Sequence, residues 1–99
     1  MIDLSPYQSE IKKLCQVLAV KRLDLVGSAA RDDFRPEASD IDVVIEFQGD
    51  EGLFRRYFQF KHGLEKIFGK KVDVLQEEAI KNPYLRESLE EDRTMVYEA

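Results

Sequence analysis

Residues 23 to 47, LDLVGSAARDDFRPEASDIDVVIEF, limit what this chain can fold into more than any other stretch. They read as a short apolar strand, a Gly-Ser turn, a polar connection, and a second strand that opens with two aspartates one residue apart. Strand side chains alternate between faces, so Asp40 and Asp42 leave the second strand on one side, placed to hold a hard cation between them. Gly27 and Ser28 follow the first strand at the start of a short helix, where free backbone N–H groups can take an anion such as a phosphate. Carboxylates for a metal and amides for a phosphate point to a nucleotide.

Ninety-nine residues make one domain, 1–99, with room for one hydrophobic core but none for a separate substrate-binding domain. With 43% hydrophobic and 35% charged residues, an ordinary soluble globular protein is expected. The net charge of -5 argues against broad adhesion to nucleic acid or anionic membrane, so no direct nucleic-acid partner is expected. A single cysteine, Cys15, excludes an internal disulfide and a cysteine-rich zinc site, which fits a reducing cytoplasm. The opening MIDLSPYQSE lacks a basic region followed by an apolar run, and no segment approaches a membrane span. A cytoplasmic protein is therefore expected.

In chain order, Ser5, Pro6 and Gln8 predict a helix start with a capping box, and Ile11, Leu14, Cys15 and Leu18 give that helix one apolar stripe. On the stripe, Cys15 reads as a small buried hydrophobe rather than a reactive thiol. Residues 22–26 form the first strand, and one or two helical turns run from Ser28 to about Phe34 until Arg35-Pro36 ends them. In the second strand, Ile41, Val43, Ile45 and Phe47 share one face while Asp40, Asp42, Val44 and Glu46 share the other. Asp50 is a plausible N-cap for a long helix carrying Leu53, Tyr57, Phe60, Leu64, Ile67 and Phe68 and stopped by Gly69. His62 in that helix has no nucleophile or orienting carboxylate to work with, so a surface or boundary position is expected. KKVDVL, residues 70–75, is a third strand with Val72 and Val74 on one face and Asp73 and Leu75 on the other. A turn near Glu77 to Ile80 follows, then a helix capped by Asn82-Pro83 and carrying Leu85 and Leu89, then an extended Thr94–Tyr97 segment. Glu87, Glu90, Glu91 and Asp92 read as a solvated helix face.

Asp73 should stand beside Asp40 and Asp42 on a neighbouring strand. Two Mg2+ ions a few ångströms apart need carboxylates from more than one backbone segment, and such a triad can hold them against a triphosphate. Each carboxylate alone also fits an exposed strand edge whose charge discourages aggregation. The combination with Gly27-Ser28 favours phosphate chemistry, because three separate requirements are met in the order that chemistry needs.

These residues carry a family resemblance. Gly27-Ser28, Ala30-Arg31, Arg35-Pro36 and Ser39-Asp40-Ile41-Asp42 before an apolar strand resemble the Gly-Ser…Asp-x-Asp signature of the nucleotidyltransferase superfamily that includes DNA polymerase beta. The small size and the ending, with Val72-Asp73-Val74-Leu75, Asn82-Pro83-Tyr84-Leu85 and Met95-Val96-Tyr97-Glu98, are similar to minimal nucleotidyltransferases that act as antitoxins beside a HEPN-domain ribonuclease toxin. The resemblance implies an α/β (α+β) fold, a small mixed sheet with helices packed mainly on one face. It implies Mg2+ held by Asp40, Asp42 and Asp73, with ATP phosphates on Gly27 and Ser28 and with Arg31 and Ser39 also on the nucleotide side. AMP would pass from ATP to a hydroxyl, a tyrosine of the HEPN toxin in such pairs, with Asp73 a candidate base. Two features depart from the pattern: Asp32 stands where it prefers glycine, and eleven residues separate Ser28 from Asp40, one more than the commonest spacing. An acid at Asp32 either repels the phosphates and weakens nucleotide affinity or faces solvent at the start of the short helix, where its charge suits the dipole.

Two other readings compete with an active antitoxin. One is a binding module that blocks its toxin by contact alone, and the other a nucleotidyltransferase for a small molecule or an RNA end. The last two normally need a further recognition domain, for which this chain has no residues to spare. Tyr84, Leu85, Met95 and Tyr97 are candidates for a docking surface, with core packing expected for at least half of them.

Overall fold

Two amphipathic helices and one alternating strand set the architecture. The computed structural model describes residues 1–32, 34, 35 and 40–99. Its order is α1 (Gln8–Val17), β1 (Val20–Val26), β2 (Ile41–Phe47), α2 (Leu53–Phe68), β3 (Val72–Gln76), α3 (Pro83–Glu91) and β4 (Thr94–Glu98). The strands lie in the order β3-β2-β1-β4. β1 runs antiparallel to both β2 and β4, while β2 and β3 are parallel. A parallel pair needs a long crossover, and α2 supplies it. The sheet is mixed, as expected, and α1 and α2 cover one face.

That face holds the main core. Leu23 and Leu25 of β1, Ile41, Val43, Ile45 and Phe47 of β2, and Val72 and Val74 of β3 pack beneath Ile11 and Cys15 of α1 and Phe60 and Leu64 of α2. Period-2 alternation in the strands and helical spacing in α1 and α2 each bring one apolar set to it. Cys15 is fully buried, and burial pushes its thiol up to about 12, which suits an inert core residue. His62 is exposed beside Phe58, as a surface position predicts.

Helix ends differ from expectation in informative ways. No capping box forms at Ser5: residues Ser5–Tyr7 make a 3₁₀ turn before α1, and the Ser5 N–H donates to Asp3 Oδ1 at 3.0 Å. Asp50 does not cap α2 either, because Gly52 occupies that place with φ 59° and its carbonyl accepts from the Arg56 N–H. Gly69 does stop α2, at φ 68°, and the Asn82 side chain caps α3 by accepting from the N–H groups of Tyr84 and Leu85. β1 begins two residues before the expected Arg22, and the extended tail becomes a full strand paired to β1.

Arg56 lies buried on α2, where an apolar side chain would be ordinary. Its guanidinium donates to the carbonyls of Leu18, Ala19, Gln48 and Glu51 and stands 4.6 Å from the centre of the Phe47 ring. It ties the two loops at that end of the sheet by donating to carbonyls from both. Among the described residues no helix is long and apolar enough to cross a membrane.

Candidate functional site

The opposite face of the sheet carries the acids. β1 ends at Val26, paired with Asp42 of β2, which is paired in turn with Asp73 of β3. Register therefore lines Val26, Asp42 and Asp73 across three strands on one face. Val26 and Val44 occupy this face with Ile80 and the half-buried Leu89 of α3 as a small second cluster.

Immediately after Val26 the chain turns through Gly27 at φ 66°, a backbone conformation that side-chain-bearing residues rarely adopt. A Cβ at that position would stand only 2.9 Å from Asp42 Oδ2. The positive φ calls for glycine, and the turn lies directly against the Asp42 carboxylate. Residues Gly27–Ala30 form a single 3₁₀ turn rather than the one or two helical turns reaching Phe34, and Arg31 is already extended. The Arg31 N–H donates to the Ser28 carbonyl at 3.0 Å, closing the turn.

Asp42 and Asp73 are half-buried and in side-chain contact. Burial first, then the charge and hydrogen bond of Asp73, then the charge of Asp40, push the Asp42 carboxyl above the usual carboxylate range. Each of the two negative charges opposes the other's presence on this face. Asp40 is exposed at the head of β2 and acts on Asp42 through its charge. Among the described residues, no three His, Cys, Asp or Glu side chains are gathered closely enough to cage a metal ion. The donor set is nonetheless all carboxylate oxygen, the type that suits a hard divalent cation.

Gly27, Ser28, Asp42 and Asp73 of the expected residues come together, with Asp40 and Arg31 at the rim. Ser39 lies outside the described residues. Asp32 lies beyond the C-terminal end of the turn rather than at the start of a short helix, with its side chain exposed and its Oδ1 3.7 Å from the N-terminal ammonium.

Sequence reasoning missed a buried ionic clasp on the same face. Asp24 of β1 is fully buried, and its Oδ2 accepts from Arg93 Nε at 2.6 Å while its Oδ1 accepts from Arg22 Nε at 3.0 Å. Arg93 also donates to Glu77 Oε2 at 2.6 Å and to Glu90 Oε1 at 2.8 Å, and Arg86 donates to Glu77 Oε1 at 3.0 Å. Burial works against the Glu77 charge, but hydrogen bonds from Arg93 and Arg86 outweigh it and hold that carboxyl below its ordinary value. The clasp fixes α3 and the turn after β3 to β1. A signal was present: Asp24 interrupts an apolar run, and Arg93 is the only basic residue after Arg86.

A four-stranded mixed sheet whose first strand turns through Gly27-Ser28 beside carboxylates of the next two strands gives the chain the α/β layout of a small nucleotidyltransferase domain. The chain belongs to the nucleotidyltransferase domain family, which matches residues 9–96. A relative from Methanocaldococcus jannaschii, provisionally named a protein adenylyltransferase, is 43% identical over 97 residues, covering 93% of this chain and 96% of the relative. A solved structure provisionally described as a minimal nucleotidyltransferase superposes with a TM-score of 0.73 at 29% identity, over 91% of this chain and 89% of that one. A chain from the complex of a tri-AMPylated HEPN toxin with its MNT antitoxin, from Shewanella oneidensis, superposes with a TM-score of 0.62. That match spans 93% of this chain and 70% of the other, and at 14% identity the likeness is one of fold.

Proposed function

We propose that this protein is an antitoxin that transfers AMP from ATP to a tyrosine hydroxyl of a HEPN-domain toxin. The observation that carries this reading is the placement of Asp42, packed against the Gly27 turn on one side and against Asp73 on the other. A turn of the kind that can take phosphate then adjoins carboxylates of the kind that can take a metal ion, which supports transfer to or from a triphosphate. The M. jannaschii relative's name and the AMPylated toxin in the Shewanella complex support protein as the acceptor class.

In this reading the backbone N–H groups around Gly27 and Ser28, with Arg31 and Ser39, hold the β- and γ-phosphates and leave the α-phosphorus facing the acids. Asp42 and Asp73, with Asp40, would hold Mg2+, which when bound offsets charge on the phosphates and makes a hydroxyl more acidic. The acceptor oxygen attacks the α-phosphorus, the bond from that phosphorus to the bridging oxygen breaks, and pyrophosphate leaves with the electron pair. Asp73 takes the hydroxyl proton. The product is a tyrosyl-AMP ester.

The test is to incubate the purified protein and its toxin partner with Mg2+ and ATP and weigh the intact toxin. AMP-sized increments with the wild type and none with Asp42→Ala are expected. No increment, with Asp42→Ala still protecting cells from the toxin, would sink transfer and leave neutralisation by contact.

A further inference from the structure

The C-terminal end of α3 carries Asp92, and its surroundings are unfavourable for an acid. The last turn of α3 has no basic residue, and Glu87, Glu90 and Glu91 precede the cap position that Asp92 occupies. Carbonyl dipoles at a helix C-terminus repel a carboxylate, so nothing within the helix favours one there. Residues that break a local rule are expected where function or a long-range contact compensates.

The compensating contact reaches across the face to the phosphate turn. Asp92 Oδ2 accepts from Arg31 Nη1 at 3.2 Å, sixty-one residues away in sequence. Arg31 is the residue whose N–H closes the Gly27–Ala30 turn, and the two side chains line an open recess of about 500 Å³ together with Ala30 and Asp32. The chain beside Asp92 is anchored: Arg93 is only 12% exposed and is bonded to Asp24, Glu77 and Glu90. A carboxylate on an anchored stretch of chain therefore meets the guanidinium of the residue that closes the turn.

We propose that Asp92 is a positioning residue for nucleotide binding, holding the Arg31 guanidinium at the rim of the Gly27-Ser28 turn in the orientation in which it meets the phosphates. This deepens the reading of that turn as the phosphate cradle and rests on it. A guanidinium is a planar fork with five N–H donors, so a carboxylate bonded to Nη1 narrows the directions in which the other donors can point. The gain is in the entropy of ordering a long side chain before the ligand arrives, which acts on ground-state and transition-state binding alike.

The experiment measures Kd for MgATP, and KM and kcat for AMP transfer, on the full chain with its partner for wild type, Asp92→Asn, Asp92→Glu, Arg31→Gln and the double variant. Asp92→Asn should raise Kd and KM about three-fold, the scale of a partly exposed ion pair, with kcat unchanged. Asp92→Glu should recover most of the loss. In the Arg31→Gln background, Asp92→Asn should have no further effect, an outcome that general destabilisation would not produce. Unchanged or tightened binding in Asp92→Asn, or an undiminished effect without Arg31, overturns the proposal. A wild type that binds MgATP but transfers no AMP contradicts the transferase reading alone, since Kd still reports on Asp92. A wild type that binds no nucleotide overturns both.

Discussion

Beneath α1 and α2 the sheet buries Leu23, Leu25, Ile41, Val43 and Ile45 against Phe60 and Leu64, whereas on its other face, among the described residues, a small cluster of Val26, Val44 and Ile80 is buried. The second face carries Asp24, Asp42 and Asp73 instead, and α3 covers it without burying one residue of its own. Burial of a large apolar side chain is worth about 1.5–3 kcal/mol, so the first face supplies most of the stability. The second face can then afford carboxylates in mutual repulsion. What holds α3 there is the Arg93 clasp, directional and ionic where the other face is apolar and non-directional.

That division can be broken from either side. Asp42→Asn should lower AMP transfer by about a thousand-fold or more, the scale of losing a group that organises charge at the reacting phosphate. It should leave the urea midpoint unchanged or slightly raised, because it removes a carboxylate pressed against Asp73. A marked loss of stability in Asp42→Asn would mean that the acidic face is structural after all. Phe60→Ala, at the centre of the other face and fully buried, should cost about 3–5 kcal/mol in urea unfolding.

Smaller effects sharpen the picture of the clasp. Arg93→Met leaves Asp24 buried with Arg22 as its remaining ionic partner and should cost about 2–3 kcal/mol, less than for a carboxylate left wholly unpaired. Adding Asp24→Asn to it should return part of that loss. Glu77→Gln should cost about 1 kcal/mol at pH 7, and the cost should depend on pH. The folded protein holds the Glu77 carboxyl below its ordinary value of 4.5, so its contribution is present above that value and is lost as pH falls through the folded value. Urea titrations of wild type and Glu77→Gln from neutral pH downward should therefore converge in acid. A difference that persists unchanged at pH 3 would contradict the ionic account.

Much of the apolar face was legible in the sequence, because each of its elements carries its own period. β2 has the bounds its β-branched alternation predicts, Gly69 ends α2, Asn82 caps α3, and Asp73 faces away from Val72 and Val74. These are local signals. The Gly27-Ser28 turn, Asp42 and Asp73 were legible too, since glycine before serine and acids at alternate positions report on backbone and face directly. The missed features depend on partners distant in sequence. Asp24 needs Arg93, Asp92 needs Arg31, Arg56 needs four carbonyls from two loops, and β4 becomes a strand only by pairing with β1. A helix start can mislead even locally, as at Ser5, where Asp3 takes the N–H that a capping box would have used. Of the docking candidates, Tyr84, Leu85 and Met95 are exposed while Tyr97 packs at the margin of the core.

The central claim is that the acidic end of the second face is where a divalent ion and a nucleotide meet. Titrating the isotope-labelled protein with Mn2+ in the presence of a non-hydrolysable ATP analogue, and recording amide spectra, tests it directly, since a paramagnetic ion broadens only its neighbours. The account predicts that resonances of Gly27, Ser28, Asp42 and Asp73 vanish first while those of α2 around Phe54 and Phe58 persist, and that Asp42→Asn abolishes the effect. Broadening centred elsewhere, or undiminished in Asp42→Asn, would contradict it.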